Sequence, residues 1–310
     1  MKKNVFIILI SFLFSNQIDY RLSSNEITDF LLGEYHYLSQ DYYLANQYYS
    51  DLKDNINFES ETIYYSIAEA NLELGNFDIA LNYFLKSYNL NKNNEDIIVL
   101  IYNLYIVLDD LDSAQSFLID GCYNNKQNIY LLDILFHHFI NTNKLIESIE
   151  VLTDISDLNI LTFFELREKS EYLIQYFNDK NLIFNILDDY YSKYQNINFI
   201  KLYFIFSDLF NDFDNLERSF IILKAQNKIN IDQVTLYCQN LFTKKDFNKI
   251  FNLLRPYYAN NNISFDGLKL FINSSYELKL LNQYLKYSEY AYNKYSDKPF
   301  SHEIFIIALI

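Results

Sequence analysis

Several residue types that shape folds and active sites are scarce in this sequence. Its 310 residues include 4 glycines, 2 prolines, 2 cysteines, 4 histidines and no tryptophan. With so few glycines, the chain has no glycine-rich phosphate loop, no dinucleotide-binding fingerprint and no nucleophile elbow. The two cysteines are too few for a disulfide framework. We therefore expect a protein that is not an enzyme and that holds no cofactor.

Basic residues are also in short supply. There are 25 lysines and arginines against 40 aspartates and glutamates, which gives a formal net charge of −15 at pH 7. Charge of this sign repels nucleic-acid phosphates and anionic lipid. We therefore expect no nucleic-acid partner.

Metal ligands are sparse and poorly placed. Asp133 and His137 stand four residues apart on a predicted helix, but two ligands make only half of a usual four-ligand site. His137 and His138 are adjacent, so on a helix their side chains diverge by about 100°. We expect no metal site.

The first residues have the pattern of an export signal. Lys2 and Lys3 precede an apolar run, Val5 to Phe14, which is too short to span a bilayer comfortably. We predict that residues 1–17 form a secretory signal peptide or, if uncleaved, a short anchor that would be the only membrane contact. A buried first helix is the alternative. The expected location is exported: periplasmic, secreted, or tethered to the membrane at the N-terminus.

The few glycines draw attention to Gly75 in the stretch LGNFDIALNYFLKSY. Two residues later, Phe77 begins a column that recurs every 34 residues and is apolar except at Asp179. A second column begins at Tyr64 and is apolar throughout. Its later members are Ile98, Leu132, Leu166, Ile200, Val234 and Leu268.

Within one period, apolar residues recur three and four positions apart on either side of Gly75, which predicts two helices joined by a turn. The first helix must end in a residue that tolerates a positive φ angle, and glycine does so without a Cβ penalty. The equivalent positions hold Asp109, Asn143, Asn211 and Lys245, whereas Phe177 departs from the pattern.

These features resemble the tetratricopeptide repeat (TPR) family, whose repeat is also 34 residues long. The matching positions in the best segment are Ala68, Gly75, Phe77, Ala80, Phe84 and Leu90. The resemblance is strongest over residues 61–155. It implies an all-α fold, a right-handed superhelical solenoid of helix–turn–helix hairpins over residues 26–298. The predicted hairpins are 26–60, 61–94, 95–128, 129–162, a degenerate unit at 163–196, 197–230, 231–264 and 265–298, with a further helix beginning in 299–310.

In the TPR family the first helix of each hairpin lines a concave groove that holds a peptide or a partner's helix. Transferred to this sequence, the resemblance gives the candidate groove residues Tyr65, Glu69, Asn103, Asp133, His137, Arg167, Lys201, Gln239, Lys269 and Asn273. Lys269 and Asn273 also match the first pair of the family's carboxylate clamp. The next helix offers Glu303 and Ile304 where that clamp would continue, so we interpret the match as coincidence.

The expected function is therefore a non-catalytic scaffold that binds a protein or peptide in its groove. The final stretch, SHEIFIIALI, stops within an apolar run and should expose Phe305, Ile306, Leu309 and Ile310. Three explanations remain open. The chain is part of a longer protein, such as an enzyme or assembly factor; the apolar surface mediates self-association; or the end folds back as a cap.

Overall fold

The fold is all-α wherever the structure describes it. This structure is a computed structural model that describes Asp19 and residues 21–310, in which every regular element is an α-helix. The prediction of an all-α helical-repeat fold is confirmed. The signal peptide or anchor predicted for residues 1–17 lies outside the described residues. No helix among those described combines the length and apolar character needed to cross a bilayer.

The helices fall into two compact units, one ending at Asn143 and the other running from Lys144 to Ile310. In the first unit each helix packs on the next in chain order, as in a helical-repeat solenoid. Its helices are α1 (Ser24–Leu38), α2 (Tyr42–Asn55), α3 (Glu61–Glu73), α4 (Phe77–Leu90), α5 (Glu95–Val107), α6 (Leu111–Asn124) and α7 (Ile129–Asn141).

The second unit contains ten helices in its described residues. They are α8 (Leu145–Asp157), α9 (Phe163–Tyr176), α10 (Lys180–Tyr194), α11 (Ile197–Leu209), α12 (Phe213–Ala225), α13 (Ile231–Thr243), α14 (Phe247–Ala259), α15 (Phe265–Glu277), α16 (Leu281–Lys294) and α17 (Pro299–Leu309). Alternate helices also touch here: α9 packs on α11, and α13 packs on α15. We call the odd-numbered helices α1 to α15 the first helices and their even-numbered successors the second helices.

The turns inside the hairpins adopt the backbone conformation that the sequence predicts. Gly75 has a φ angle of 76°, and Asp109, Asn143, Asn211 and Lys245 have φ angles of 60°, 60°, 54° and 61°. This left-handed conformation lets the first helix stop and the chain reverse into the second. Phe177, which ends α9, instead has a φ angle of −117°.

Asp179 has a structural role that explains its place in an otherwise apolar column. Its side chain accepts a hydrogen bond from the Leu182 backbone N–H and so caps the start of α10. The equivalent caps of α6 and α12 are Asp110 and Asp212. Asp179 comes one residue later than the 34-residue spacing from Asp110 requires. The fifth hairpin is therefore shifted by one residue at its turn.

Small residues allow close packing within the hairpins. Ala80, Ala114 and Ser148 are fully buried. In the first hairpin, a Cβ atom on Gly33 would lie 2.4 Å from Cε1 of Tyr49, so only glycine lets α1 approach this ring. The close approach places Tyr49 under α1, where its hydroxyl reaches a buried carboxylate.

The remaining sequence expectations concern the cysteines and α17. Both cysteines are buried thiols that form no disulfide. Burial raises the pKa of Cys238 to about 12, so this thiol is unreactive at neutral pH. On α17 and at the residue that follows it, Ile306, Leu309 and Ile310 are exposed as predicted. The expected exposure of Phe305 is wrong: its ring is half-buried and stacks on Tyr292 at a centroid distance of 5.0 Å.

Candidate peptide-binding surfaces

The predicted groove residues lie on the first helices of both units, where two concave pockets occur. In the first unit a pocket of about 200 Å³ lies between α1, α3 and α5. Four of its lining side chains are carboxylic acids: Glu34, Glu61, Glu69 and Asp96. Phe30, Thr62, Tyr65, Ser66 and Asn94 complete the lining.

Glu34 forms the buried wall of this acidic pocket. Its Oε1 accepts a hydrogen bond of 2.6 Å from the Tyr49 hydroxyl. Burial raises the pKa of Glu34, while hydrogen bonds from Tyr49 and Ser66 oppose that shift. Glu34 and Tyr49 therefore fix the back of the pocket.

Glu69 lies nearer the solvent and is the most strongly perturbed carboxyl group of the pocket. Burial raises its pKa to about 7; a hydrogen bond from Tyr65 opposes this shift, and the charges of Glu34 and Glu73 add to it. The Tyr65 ring also packs edge-on against Phe84 at 5.5 Å. Two predicted groove residues, Tyr65 and Glu69, thus share one pocket whose charge changes near neutral pH.

The other predicted residues of the first unit lie outside this pocket. Asn103 is exposed on α5. On α7, the Nε2 atom of His137 lies 3.8 Å from Oδ1 of Asp133, a contact that becomes an ion pair when the histidine is protonated. The part of the chain that the structure describes contains no group of three or more potential metal ligands.

In the second unit, a cavity of about 520 Å³ opens between the first helices α9, α11 and α13 and the end of α8. Its apolar lining includes Phe163, Leu166 and Ile205. Its rim is polar and carries two lysines, Lys201 and Lys228. The amide side chains around it are Asn159, Asn196, Asn198, Asn227, Asn230 and Gln233.

One wall of this cavity is held together by hydrogen bonds between α8 and α11. Asn196 donates to Oδ2 of Asp157 at 3.0 Å, and Asn198 donates to Oδ1 of the same carboxylate. The Ser156 hydroxyl donates to Oδ1 of Asn198 at 3.3 Å. The wall is therefore fixed before any ligand arrives.

Lys201 is the predicted groove residue that lines the cavity. Its Nζ lies 3.4 Å from Oδ1 of Asn159. Burial lowers the pKa of Lys201 and the nearby charge of Lys228 lowers it further, while Asp157 opposes both effects. The half-buried ammonium group is incompletely solvated, so an acceptor atom on a ligand would be a favourable partner.

Arg167 is already engaged by residues of its own unit. Its Nε and Nη2 donate to Oδ2 of Asp208 on α11, at 3.2 and 3.0 Å. Oδ1 of Asp208 accepts a hydrogen bond of 3.0 Å from Asn240 on α13. Three successive first helices are thus linked through one carboxylate.

The last predicted residues lie further along the second unit. Gln239 is exposed on α13, and Asn273 is half-buried on α15. Lys269 pairs with Asp266 at 3.1 Å, and its Nζ lies 4.6 Å from the centre of the Phe265 ring. Intramolecular partners therefore hold Lys269.

Several pocket residues lie in turns or at helix starts, outside the helical positions that the resemblance predicts. In the second unit, Asn159 and Asn227 have left-handed φ angles of 51° and 54° in turns between hairpins. A further such asparagine, Asn261, follows Asn227 at the repeat spacing. This recurrence of asparagine is a sequence signal that could have identified these turns.

No protein-family model matches the chain, and a search of curated proteins finds no match. Among solved structures, the chain is similar to a tetratricopeptide repeat protein from Parabacteroides merdae at 9% identity, covering 93% of this chain and 100% of that one, with a TM-score of 0.38. It is also similar to YrrB, described as a TPR protein with an unusual peptide-binding site, at 12% identity over 68% of this chain and 96% of that one, with a TM-score of 0.36. A third similar structure is the P58(IPK) TPR domain, at 12% identity over 92% and 98% of the two chains, with a TM-score of 0.32.

Proposed function

We propose that this chain is a non-catalytic repeat protein that binds a peptide segment of a partner protein. The observation that carries the proposal is the cavity of about 520 Å³ that three successive first helices form in the second unit. Its volume lies in the range of about 300–1,000 Å³ that is common for binding sites.

The chemistry of the cavity suits an extended peptide. Phe163, Leu166 and Ile205 offer apolar surface for one or two side chains of the ligand. Asparagine side chains have both a donor and an acceptor, so they can bond to the N–H and C=O groups of an extended backbone. Lys201 and Lys228 add charge that favours an acceptor or a carboxylate.

The acidic pocket of the first unit suits a different group. Glu61, Glu69 and Asp96 lie on its walls, so a basic side chain is the favoured occupant. Because the pKa of Glu69 is raised to about 7, the pocket gains negative charge as the pH rises through neutrality. Binding of a basic side chain should therefore strengthen above about pH 7.

The peptide-binding proposal can be tested with peptides selected by phage display on the purified chain. We expect Lys201→Met, which keeps the aliphatic stem, to weaken the best peptide about tenfold in calorimetry. Lys286→Met on α16 removes the charge of an exposed lysine outside the cavity and should leave the affinity unchanged. Equal affinity of both variants for every selected peptide would contradict the assignment of the cavity.

We further propose that the protein is exported. Support comes from Lys2, Lys3 and the apolar run Val5 to Phe14. Residues 1–25 fused to a phosphatase that is active only outside the cytoplasm should give activity in bacterial cells. Replacing Ile8 and Leu9 with aspartate should abolish it. A fusion without activity despite normal expression would contradict the proposal.

A further inference from the structure

A second type of site occurs away from the first-helix cavities, on the second helices α8 and α10 and the start of α11. A cavity of about 410 Å³ lies there in the second unit. Three aromatic rings line it, from Tyr190, Tyr194 and Phe199. Glu150 and Asp154 place two carboxylates on its α8 side, and Thr153 and Asn196 complete the lining.

The three rings form one continuous aromatic surface. Tyr190 lies 5.6 Å from Tyr194 and 5.5 Å from Phe199, measured between ring centroids. The rings of Tyr194 and Phe199 are 6.5 Å apart and nearly parallel, with an interplanar angle of 21°. Phe199 is buried beneath this surface, whereas Tyr194 is 53% exposed. A flat group can therefore lie against the exposed ring while the buried ring supports it.

Glu150 lines the same cavity as the three rings. Its interaction with the Tyr190 hydroxyl is the main reason that the pKa of Tyr190 is raised to about 12. A carboxylate has about four acceptor positions, so this interaction leaves capacity for a ligand. Glu147 also contributes negative potential at Tyr190.

A cation of the chain already uses this surface. The Nζ of Lys193 lies 4.7 Å from the centre of the Tyr194 ring. Its interaction with Tyr194 is the main reason that the pKa of Lys193 is raised, and the charge of Glu150 adds a smaller effect. The contact of Lys193 with Tyr194 thus shows that this surface can hold a positive charge. Lys193 is exposed on a flexible stem, so it can yield to a ligand that makes more contacts.

We propose that this site, which we call the α8–α10 aromatic site, binds the guanidinium group of an arginine side chain on a partner protein. A guanidinium group is planar and weakly hydrated, so it stacks on aromatic faces more readily than an ammonium group does. Its edge presents several N–H donors, which match the paired oxygens of a carboxylate. The site thus offers a stacking face and a carboxylate to one flat cation. The proposal does not depend on the first-helix cavities.

Small probes test the chemistry directly on the full chain. N-acetyl-arginine methylamide places a guanidinium group on a neutral backbone, and N-acetyl-citrulline methylamide has nearly the same planar shape without the charge. We expect saturable binding of the arginine probe in ligand-observed NMR, at least fivefold tighter than the citrulline probe. The corresponding lysine probe, which is charged but not planar, should also bind more weakly.

Two substitutions remove the proposed contacts without disturbing the core. Tyr194→Ala should weaken the arginine probe about fivefold, and Glu150→Gln about tenfold. Tyr176→Ala is a matched control, because Tyr176 is also 53% exposed and also packs on a tyrosine four residues away, at 5.1 Å. It should leave binding unchanged.

Lys193→Met should change the affinity for the arginine probe in the opposite direction. It removes the internal cation that covers one face of Tyr194, so the arginine probe should bind more tightly than to the wild type. Circular dichroism of every variant establishes that it is folded. Equal binding of the arginine and citrulline probes, equal binding of the lysine probe, or unchanged binding in folded Tyr194→Ala would each overturn the proposal.

Discussion

Glu69 shows how a single residue couples the acidic pocket to pH. Its pKa is about 7 in the folded chain, against an ordinary value of 4.5, chiefly because it is buried. The folded state therefore retains a proton that the unfolded state releases. This effect stabilises the fold fully below about pH 4.5 and is lost as the pH rises to about 7.

Glu69→Gln should remove this dependence. At about pH 8 we expect the variant to have a free energy of unfolding about 1–2 kcal/mol above that of the wild type, after allowance for solvent screening. At about pH 4 the two proteins should be nearly equally stable, because the wild-type carboxyl group is then neutral. Urea unfolding at both values measures the difference. The same difference at both pH values would contradict the role given to Glu69.

The turn residues allow a second test at this scale. Gly75 has a φ angle of 76°, and a Cβ atom there would meet nothing within 4 Å. Gly75→Ala should thus lower the free energy of unfolding by about 1 kcal/mol through backbone strain alone. Lys245 has a φ angle of 61°, so a glycine there should relieve strain. We expect Lys245→Gly to raise the free energy of unfolding by about 0.5 kcal/mol. Changes of the same sign in urea unfolding would refute this explanation.

At the scale of the element, the start of α10 departs from the repeat spacing. Asp179 interrupts an apolar column but caps the helix through the Leu182 N–H. We predict that Asp179→Leu, which restores the apolar column, lowers the free energy of unfolding by about 1 kcal/mol. Asp179→Asn keeps a capping oxygen and should cost little. A gain in stability from leucine would show that the column, and not the cap, governs this position.

Much of the helical arrangement follows from local sequence. The three-and-four spacing around Gly75 and the capable turn formers Asp109, Asn143 and Asn211 specify where helices stop and restart. The one-residue shift at Asp179 could not be predicted from the 34-residue period. From sequence alone, an aspartate in an apolar column only indicates that the repeat is degenerate there, and its role as a helix cap becomes clear from the hydrogen bond in the structure. Phe305 was misplaced for a similar reason. Its burial depends on Tyr292, which lies on another helix.

At the scale of the whole molecule, we predict that the exposed apolar side chains of α17 mediate self-association. Ile306 and Leu309 are 58% and 64% exposed. We predict a mass in light scattering that rises with concentration, and that the double substitution of serine for Ile306 and Leu309 removes this rise. Ile221→Ser is a matched control, since Ile221 is also a helical isoleucine that is 58% exposed. A wild-type chain that stays monomeric at high concentration would exclude this surface.

The candidate sites were only partly predictable from the sequence. Tyr65, Glu69 and Lys201 line pockets. Their positions could be predicted because the resemblance assigns them to the first helices. Asn159 and Lys228 lie in turns, and a helical pattern carries no information about where turn side chains converge. Partners across helices, such as Asp208 for Arg167, also depend on packing that a linear pattern does not specify.

The carboxylate of Asp208 has a consequence for selectivity. Asp208 on α11 binds both Arg167 on α9 and Asn240 on α13. These hydrogen bonds keep the three helices at a fixed separation in the absence of a ligand. The fixed spacing of these helices also fixes the distance between the positions at which they can anchor a bound peptide. Peptides that bind there should therefore have their anchoring side chains at a constant spacing. The residues between those anchors should vary more freely.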